Sequence, residues 1–176
     1  MNLYVMRHGE VDVNVKEQIN GRNNSSLNIN GIKQAKNKIK EINKLNINLV
    51  ICSPLQRTKE TCEYSVTENI PIMYDSRLEE RDSKSMMYES VSKLNKNIWY
   101  DETKDIVYKD SEGFKSILNR TKELLEDIKT YEKYNVLLIT HGDVCKAIYA
   151  YLSNITDAKE ISLFKQGNCE IKKYDI

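Results

Sequence analysis

Short apolar runs alternate with longer amphipathic stretches along much of the chain. The uninterrupted apolar runs fall at residues 3–6, 49–52, 71–74 and 136–139. Continuous runs of this length are typical of strands buried on both faces of a parallel sheet. Apolar positions at spacings of three and four predict helices from Asn30, from about 55 to 68, from about 111 to 133, and from 143 to about 152.

The order of these elements is strand, helix, strand, which favours an α/β fold. We predict a three-layer sandwich with a mostly parallel central sheet and helices on both faces. Residues 11–30 are rich in Asn, Ser and Gly and are expected to form a loop. Two short alternating stretches, at about 161–165 and 169–174, predict an edge hairpin closed around Gln166, Gly167 and Asn168.

Residues 83–110 have no clean period and mix Lys, Asn and Ser with several aromatic residues. A flexible linker would not carry so many aromatic side chains, so we interpret the segment as an irregular, partly helical insertion at the substrate site. Acidic residues interleave with its lysines, which argues against a nucleic-acid surface. The length of 176 residues fits one domain spanning 1–176.

Composition narrows the classes of function. A net charge near +1 and a pI of about 7.6 give no general attraction to nucleic acid or to a membrane surface. No apolar run approaches the roughly 18 residues of a membrane span. The four cysteines have no metal-ligand spacing and fall in apolar or helical stretches, which is typical of reduced thiols in a cytoplasmic protein. The sequence does not indicate an oligomeric state.

The chain has only two histidines, and both sit in the same setting. His8 and His141 each follow an apolar run and each precede a glycine, which lets the backbone turn sharply. Arg7 precedes the first histidine, and Arg57 lies in the first turn of the helix after the second strand. Because parallel strands end at one edge of a sheet, we expect these four side chains to converge.

Two imidazoles beside two guanidiniums predict a phosphate site. Guanidinium groups bind phosphoryl oxygens through bidentate, charge-assisted hydrogen bonds. A charge pair at 4 Å contributes about 4 kcal/mol at an effective dielectric of about 20, so two arginines offset much of the repulsion between a phosphate dianion and a nucleophile. A neutral imidazole can then attack phosphorus and carry the phosphoryl group.

Several segments of the chain, taken in order, resemble the histidine phosphatase superfamily in its phosphoglycerate-mutase-like branch. The resemblance covers nearly the whole length. Its segments are Arg7-His8-Gly9-Glu10 with Asn14, Gly21 through Leu27 to Gly31-Ile32-Lys33-Gln34-Ala35, Ser53-Pro54-Leu55-Gln56-Arg57-Thr58 with Glu60-Thr61, Arg77-Leu78-Glu79-Glu80, Glu112 with Arg120, and Thr140-His141-Gly142.

The resemblance implies a role for each matching residue. His8 would be the phosphorylated nucleophile, and Glu80 the proton donor, with the adjacent Glu79 as the alternative. Arg7, Arg57 and His141 would form the phosphate pocket, which Asn14 and Gly142 also line. The family often follows its acid with a glycine and Trp-Glu-Gly, and here residues 81–87 differ.

From these observations we predict a phosphomonoesterase that hydrolyses a small phosphorylated metabolite through a phosphohistidine, without metal or other cofactor. The alternatives are a phosphoglycerate mutase and a non-catalytic phosphate-binding module on the same fold. A zinc or di-metal hydrolase would need ligand spacings that two histidines do not provide. Phosphosugars, phosphoglycerates, nucleotides and α-ribazole phosphate all stay open as substrates.

Overall fold

The computed structural model describes residues 2–67 and 69–176. Its strands are β1 (Asn2–Arg7), β2 (Leu49–Cys52), β3 (Ile72–Tyr74), β4 (Ile106–Val107), β5 (Ser111–Glu112), β6 (Asn135–Thr140) and β7 (Ile171–Asp175). Its α-helices are α1 (Asp12–Val15), α2 (Ile29–Lys44), α3 (Gln56–Ser65), α4 (Lys96–Trp99), α5 (Phe114–Ile128), α6 (Gly142–Ser153) and α7 (Ala158–Leu163). Short 3-10 turns lie at Ser76–Leu78, Lys84–Met86, Val91–Lys93 and Lys129–Tyr131.

The central sheet has the strand order β3-β2-β6-β1-β7. Its first four strands run parallel, and β7 pairs antiparallel with β1 at the edge. In the register of β1 with β6, Arg7 lies opposite Thr140. The residue after each strand is a histidine, so the pairing itself places the two imidazoles side by side at the carboxyl edge of the sheet.

Helices cover both faces of the sheet, as the three-layer prediction requires. Along β1, Leu3 and Val5 pack with α5 and α6, whereas Tyr4 and Met6 pack on the other face, where α2 and α3 lie. This alternation follows from the two-residue repeat of a strand. Because both faces of β1, β2 and β6 are covered, these strands are apolar at almost every position, which explains their continuous runs in the sequence. The apolar run at Ile72–Tyr74 instead forms the edge strand β3, whose side chains are exposed.

The predicted hairpin near the carboxyl-terminal end is wrong. Residues 158–163 form helix α7, and β7 pairs with β1 rather than with a neighbouring hairpin strand. The side chain of Asp157 accepts a hydrogen bond from the backbone N–H of Glu160 and so caps α7. An Asp followed three residues later by Glu is a helix-start signal, and it outweighs a short alternating pattern.

Other predicted boundaries shift by a few residues. The helix predicted from 111 begins at Phe114, because residues 111 and 112 pair with β4 instead. Helix α3 ends at Ser65, and its predicted last residue, Glu68, lies outside the described residues. The predicted loop 11–30 contains the single helical turn α1, which carries Asn14. No helix in the described parts of the chain is long and apolar enough to span a membrane.

The insertion predicted at 83–110 is irregular and contains short helical turns, as expected. It is joined to the body of the protein by Glu112, whose carboxylate accepts hydrogen bonds from the Arg120 guanidinium at 2.9 and 3.2 Å and from the backbone N–H of Asp82 at 3.0 Å. Glu112 therefore has a structural position between the two ends of the insertion, a role that the sequence did not reveal.

We expect Gly31→Ala to destabilise the protein, although alanine is the better helix former by about 1 kcal/mol. A Cβ at Gly31, in the first turn of α2, would lie 2.2 Å from the backbone oxygen of Glu10. Overpacking of this kind costs about 1–3 kcal/mol. Urea unfolding measures the change. Gly167→Ala is the control, because its Cβ would meet only the Glu170 carboxylate at 3.5 Å, and a loss equal to that of Gly31→Ala would contradict the prediction.

Candidate active site

A cavity of about 640 Å³ opens at the carboxyl edge of the sheet. Six of the seven predicted site residues line it, namely Arg7, His8, Asn14, Arg57, Glu80 and Gly142. The seventh, His141, is fully buried next to His8, with the two ring centroids 5.2 Å apart. The structure therefore brings together side chains from both ends of the chain and from the segments between them.

His8 is held in one orientation by hydrogen bonds at both ring nitrogens. Its Nδ1 lies 2.6 Å from the carbonyl oxygen of Gly9, and its Nε2 lies 3.2 Å from the Nε of Arg57. Arg57 can only donate, so Nε2 must be the acceptor, and Nδ1 must carry the proton that is donated to Gly9. The network thus assigns the tautomer that leaves a lone pair on Nε2.

Two close approaches fix the loop that carries His8. The backbone N–H of Gly9 donates to Thr61 Oγ1 at 2.9 Å, and a Cβ at Gly9 would lie 2.7 Å from the backbone oxygen of Gly31. No residue with a side chain fits here without a shift of the backbone. The glycine after the histidine is therefore required by packing against the start of α2.

Arg57 is fully buried, and all three of its guanidinium nitrogens donate hydrogen bonds. Besides Nε, which reaches His8, the terminal nitrogens donate to the carbonyl oxygens of Asn23 at 2.7 Å and Gly21 at 2.8 Å. Burial lowers the pKa of Arg57 to about 10, so it is still a cation at neutral pH. Backbone carbonyls of the predicted loop 11–30 thus hold the buried Arg57 cation against His8.

Both imidazoles are kept neutral. Burial lowers the pKa of His8 well below its ordinary value, and the charges of Arg57 and Arg7 lower it further. Burial also lowers the pKa of His141, with Arg57 as the next contribution. The Nε2 of His141 lies 2.8 Å from Ser53 Oγ, and its Nδ1 has no hydrogen-bond partner among the described residues. A neutral His8 is the form that can act as a nucleophile.

The structure separates Glu80 from Glu79. Glu80 lines the cavity, and its Oε1 accepts hydrogen bonds from the backbone N–H groups of Arg81 at 3.0 Å and Asp143 at 3.3 Å. Glu79 forms an ion pair with Arg22 at 3.1 Å and is not among the residues that line the cavity. Of the two adjacent carboxylates, it is therefore that of Glu80 that faces the cavity.

The pKa of Glu80 is raised, first by burial and then by the charge of Asp143, while Arg57 and Arg7 oppose the rise. The Arg77 side chain binds Asp75 and Asp127, and the Arg81 guanidinium binds Asp143. A raised pKa favours the protonated form of Glu80, which is the form that a general acid needs.

Gly142 and Arg7 close the side of the cavity next to Glu80. A Cβ at Gly142 would lie 3.8 Å from both the Arg7 guanidinium and Glu80 Oε2, so this glycine keeps space free between the two groups. Arg7 donates from one terminal nitrogen to the carbonyl oxygen of Gln166 at 3.0 Å, while its buried Nε has no partner among the described residues. Gln166 belongs to the segment for which we had predicted a hairpin.

Sequence reasoning missed several residues of the cavity wall. Asn168 donates to the carbonyl oxygen of His8 at 2.9 Å, and its side chain lies 3.5 Å from Asn14 Oδ1. Trp99, Tyr100 and Asp143 form a hydrogen-bonded cluster beside Glu80. Two features of the sequence could have indicated this cluster. Trp99 and Tyr100 form an aromatic pair within a polar segment, and Asp143 directly follows the second His-Gly.

No group of three or more His, Cys, Asp or Glu side chains that could hold a metal ion occurs within residues 2–67 and 69–176. The positive charge next to His8 is instead provided by Arg7 and Arg57, which both line the cavity. The four cysteines are buried and free.

Comparison with known proteins places this geometry in a family. Adenosylcobalamin/α-ribazole phosphatase of Escherichia coli is 25% identical over 162 residues, which cover 86% of this chain and 79% of that protein. Phosphoserine phosphatase 1 of Hydrogenobacter thermophilus is also 25% identical, over 100% of this chain and 85% of that protein.

The fold agrees as well. The crystal structure of a phosphoserine phosphatase from Entamoeba histolytica superposes with a TM-score of 0.82 at 23% identity, covering 98% of this chain and 89% of that one. The α/β sandwich with a mostly parallel sheet is thereby confirmed. The family match and the sequence relatives, not the superposition, bear out the assignment to hydrolases of phosphoric monoesters. The sequence profile of the histidine phosphatase superfamily (branch 1) matches residues 3–176, and the chain belongs to this superfamily.

Proposed function

We propose that the protein is a metal-independent phosphomonoesterase that hydrolyses a small, polar phosphorylated metabolite through a phosphohistidine on His8. The observation that carries the proposal is the state of the His8 ring. Nδ1 is tied to Gly9, so the lone pair is on Nε2, where it accepts from Arg57 Nε, a donor that a bound phosphoryl oxygen would take over. An imidazole fixed in this way needs no separate base to become a nucleophile.

In the first half of the reaction, His8 Nε2 attacks phosphorus, and the bond from phosphorus to the ester oxygen breaks. The proton on the Glu80 carboxyl passes to the departing oxygen. Arg7, Arg57 and His141 stabilise the phosphoryl oxygens, and a bound oxygen would satisfy the unpartnered Arg7 Nε and His141 Nδ1. In the second half, Glu80 takes a proton from a water molecule as it attacks phosphorus, the N–P bond breaks, and inorganic phosphate leaves.

The cavity supports a small substrate with a polar leaving group. A volume of about 640 Å³ is in the usual range for small-molecule sites. Beyond the phosphate pocket, its wall carries Glu17, Gln18, Asn20 and Lys96 beside the aromatic Trp99. These groups suit hydroxyl, amino or carboxylate substituents, so phosphorylated hydroxy acids, amino acids and sugars are the first compounds to test. We place the reaction in the cytoplasm, in keeping with four free, buried thiols.

The alternatives differ in where the phosphoryl group goes. A mutase returns it to the substrate, whereas an open cavity admits water and leads to net hydrolysis. A binding module would hold phosphate without turnover. The experiment is a panel of phosphorylated metabolites in which ³¹P NMR distinguishes inorganic phosphate from isomerised ester. Isomerisation without phosphate release would identify a mutase, and phosphate affinity without any turnover would identify a binding module.

We expect full activity in the presence of excess chelator. The charges that stabilise the transferring phosphoryl group belong to Arg7 and Arg57, and guanidinium groups do this without coordination chemistry. Initial rates of phosphate release are compared before and after prolonged treatment with EDTA. A loss of rate that added Mg²⁺, Mn²⁺ or Zn²⁺ restores would refute this part of the proposal.

A further inference from the structure

Asp143 lies beside the proposed acid Glu80 and is one of the most heavily bonded side chains of the cavity wall. Its Oδ2 accepts from Arg81 Nε at 2.6 Å and from Trp99 Nε1 at 3.1 Å, and its Oδ1 accepts from the Tyr100 hydroxyl at 3.1 Å. Three donors from the segment after Glu80 thus meet on one carboxylate. A partly buried carboxylate with this many donors is held in one position.

The backbone of the same residue touches the acid. The N–H of Asp143, in the first turn of α6, donates to Glu80 Oε1 at 3.3 Å. The Arg81 guanidinium also lies 3.9 Å from the centre of the Trp99 ring and donates to the carbonyl oxygen of Glu112 at 2.9 Å. Arg81 and Asp143 therefore connect the insertion, through Trp99 and Tyr100, with the carboxyl group of Glu80.

From this arrangement we infer that Asp143 is a positioning residue for catalysis. It docks the 83–110 insertion through Trp99 and Tyr100, and it orients Glu80 as the acid through its backbone N–H and its neighbouring negative charge. The inference rests on the proposed role of Glu80. It adds a function for Arg81, which begins the stretch 81–87 where the chain differs from the usual family sequence, and it makes the strength of the acid depend on the docked insertion.

The pKa shifts of Asp143 and Glu80 have the directions that this inference requires. Burial alone would raise the pKa of Asp143, but the charge and hydrogen bond of Arg81 outweigh burial and hold that pKa below its ordinary value. The ionised Asp143 then contributes, after burial, to the raised pKa of Glu80. Of two neighbouring carboxyl groups, the one paired with arginine ionises more readily, and the other has the higher affinity for the proton.

Other charged and titratable groups also face Glu80. Arg57 and Arg7 lower its pKa, and the backbone N–H of Arg81 does so as well. Arg22 donates to its backbone carbonyl at 3.1 Å. The remaining titratable neighbours with an electrostatic interaction with Glu80 are Tyr100 and Cys145, whose own pKa values are raised by burial and which are therefore uncharged at neutral pH. Asp143 is thus the negative charge that acts on the acid.

The test is the pH profile of kcat/KM for an alkyl phosphate that the protein hydrolyses. The basic limb reports loss of the proton from Glu80, so removing the charge of Asp143 in the Asp143→Asn variant should lower the pH of this limb by about 1 unit. At a pH above the limb, kcat/KM should then be about tenfold lower than in the wild type. With p-nitrophenyl phosphate, whose leaving group needs little protonation, the rate above the limb should change much less. Asp127→Asn, which breaks an exposed ion pair with Arg77, is the matched control and should leave the limb in place.

The chain has a single tryptophan, Trp99, so its fluorescence reports docking of the insertion. Asp143→Asn should shift the emission to the red and increase quenching by acrylamide. The double variant Arg81→Met/Asp143→Asn removes both members of the ion pair and avoids an unpaired buried charge, so it serves if the single variant does not fold. It should show the same acid-ward shift of the limb.

The possible results distinguish the role inferred for Asp143 from the role proposed for Glu80. An unmoved limb in both variants, with a uniform loss of rate on alkyl and aryl esters, would show that Asp143 has only a structural role. Emission unchanged in Asp143→Asn would show that it does not dock the insertion. If Glu80→Gln leaves the basic limb of the wild-type profile intact, Glu80 is not the acid, and the proposed role of Glu80 fails before that of Asp143 is tested.

Discussion

Replacing His8 with alanine is expected to lower kcat by a factor on the order of 10⁴ or more, because the phosphoryl group then has no nucleophile to receive it. In the wild-type protein, mixing with substrate followed by rapid alkaline quench should trap phosphate on a histidine. Mass mapping should place the label on His8, whose Nε2 carries the unprotonated lone pair, and the label should be lost in acid, as expected of an N–P bond.

The matched variant is His141→Ala, which removes the other imidazole 5.2 Å away. It should slow phosphorylation but leave the label on His8, since the Nε2 of His141 lies against Ser53. His8→Ala should still bind orthovanadate, because Arg7 and Arg57 are intact. Label found on His141 or on a serine would reverse the assigned roles.

The second large effect is expected for Glu80→Gln, and it should depend on the leaving group. An alkoxide needs a proton in the transition state, and general acids contribute about 10² to 10⁴ in rate. A p-nitrophenolate needs little help. We therefore expect the substitution to slow hydrolysis of alkyl phosphates at least tenfold more than that of p-nitrophenyl phosphate, measured as kcat/KM at one pH.

Glu79→Gln is the control for this measurement, because it is the adjacent carboxylate and is turned towards Arg22. It should affect both substrate types equally and weakly. Equal large losses on both substrates in Glu80→Gln would mean that Glu80 only shapes the pocket. A selective loss in Glu79→Gln would move the acid one residue back.

Most of the sheet could be predicted because burial on both faces leaves a direct trace in the sequence. The runs at 49–52 and 136–139 contain no polar residue, and only a strand in the interior of a parallel sheet requires that. The same argument placed His8 and His141 at one edge. Arg57 followed from its position after the Ser-Pro that ends a strand, and its pairing with His8 agrees with that placement.

The carboxyl-terminal segment could not be predicted by the same reasoning. Strand β7 lies at the edge of the sheet and is only partly buried, so its pattern is weak and does not indicate its partner. The contributions of Gln166 and Asn168 depend on that pairing, and neither residue has chemistry that draws attention in the sequence. The role of Asp143 was hidden for a related reason, since its donors lie in an insertion without a regular period.

Glu79 and Glu80 are adjacent in the sequence, but only Glu80 lines the cavity. Both side chains are half-buried, and both are flanked by arginines in sequence. The decision comes from contacts made by distant residues, Arg22 for the first and Asp143 for the second. Such contacts depend on the packing of loops, which a pattern of apolar and polar positions does not encode.

Strand β1, which delivers the nucleophile, has both of its neighbours far away along the chain. Asn2 pairs with Asn135 on one side and with Asp175 on the other. Pairings between such distant segments must overcome a large loop-closure entropy and give a topology of high contact order. This interior strand of the sheet therefore acquires its partners only when distant segments of the chain associate, and a partly folded chain that keeps only local helices has no site at all.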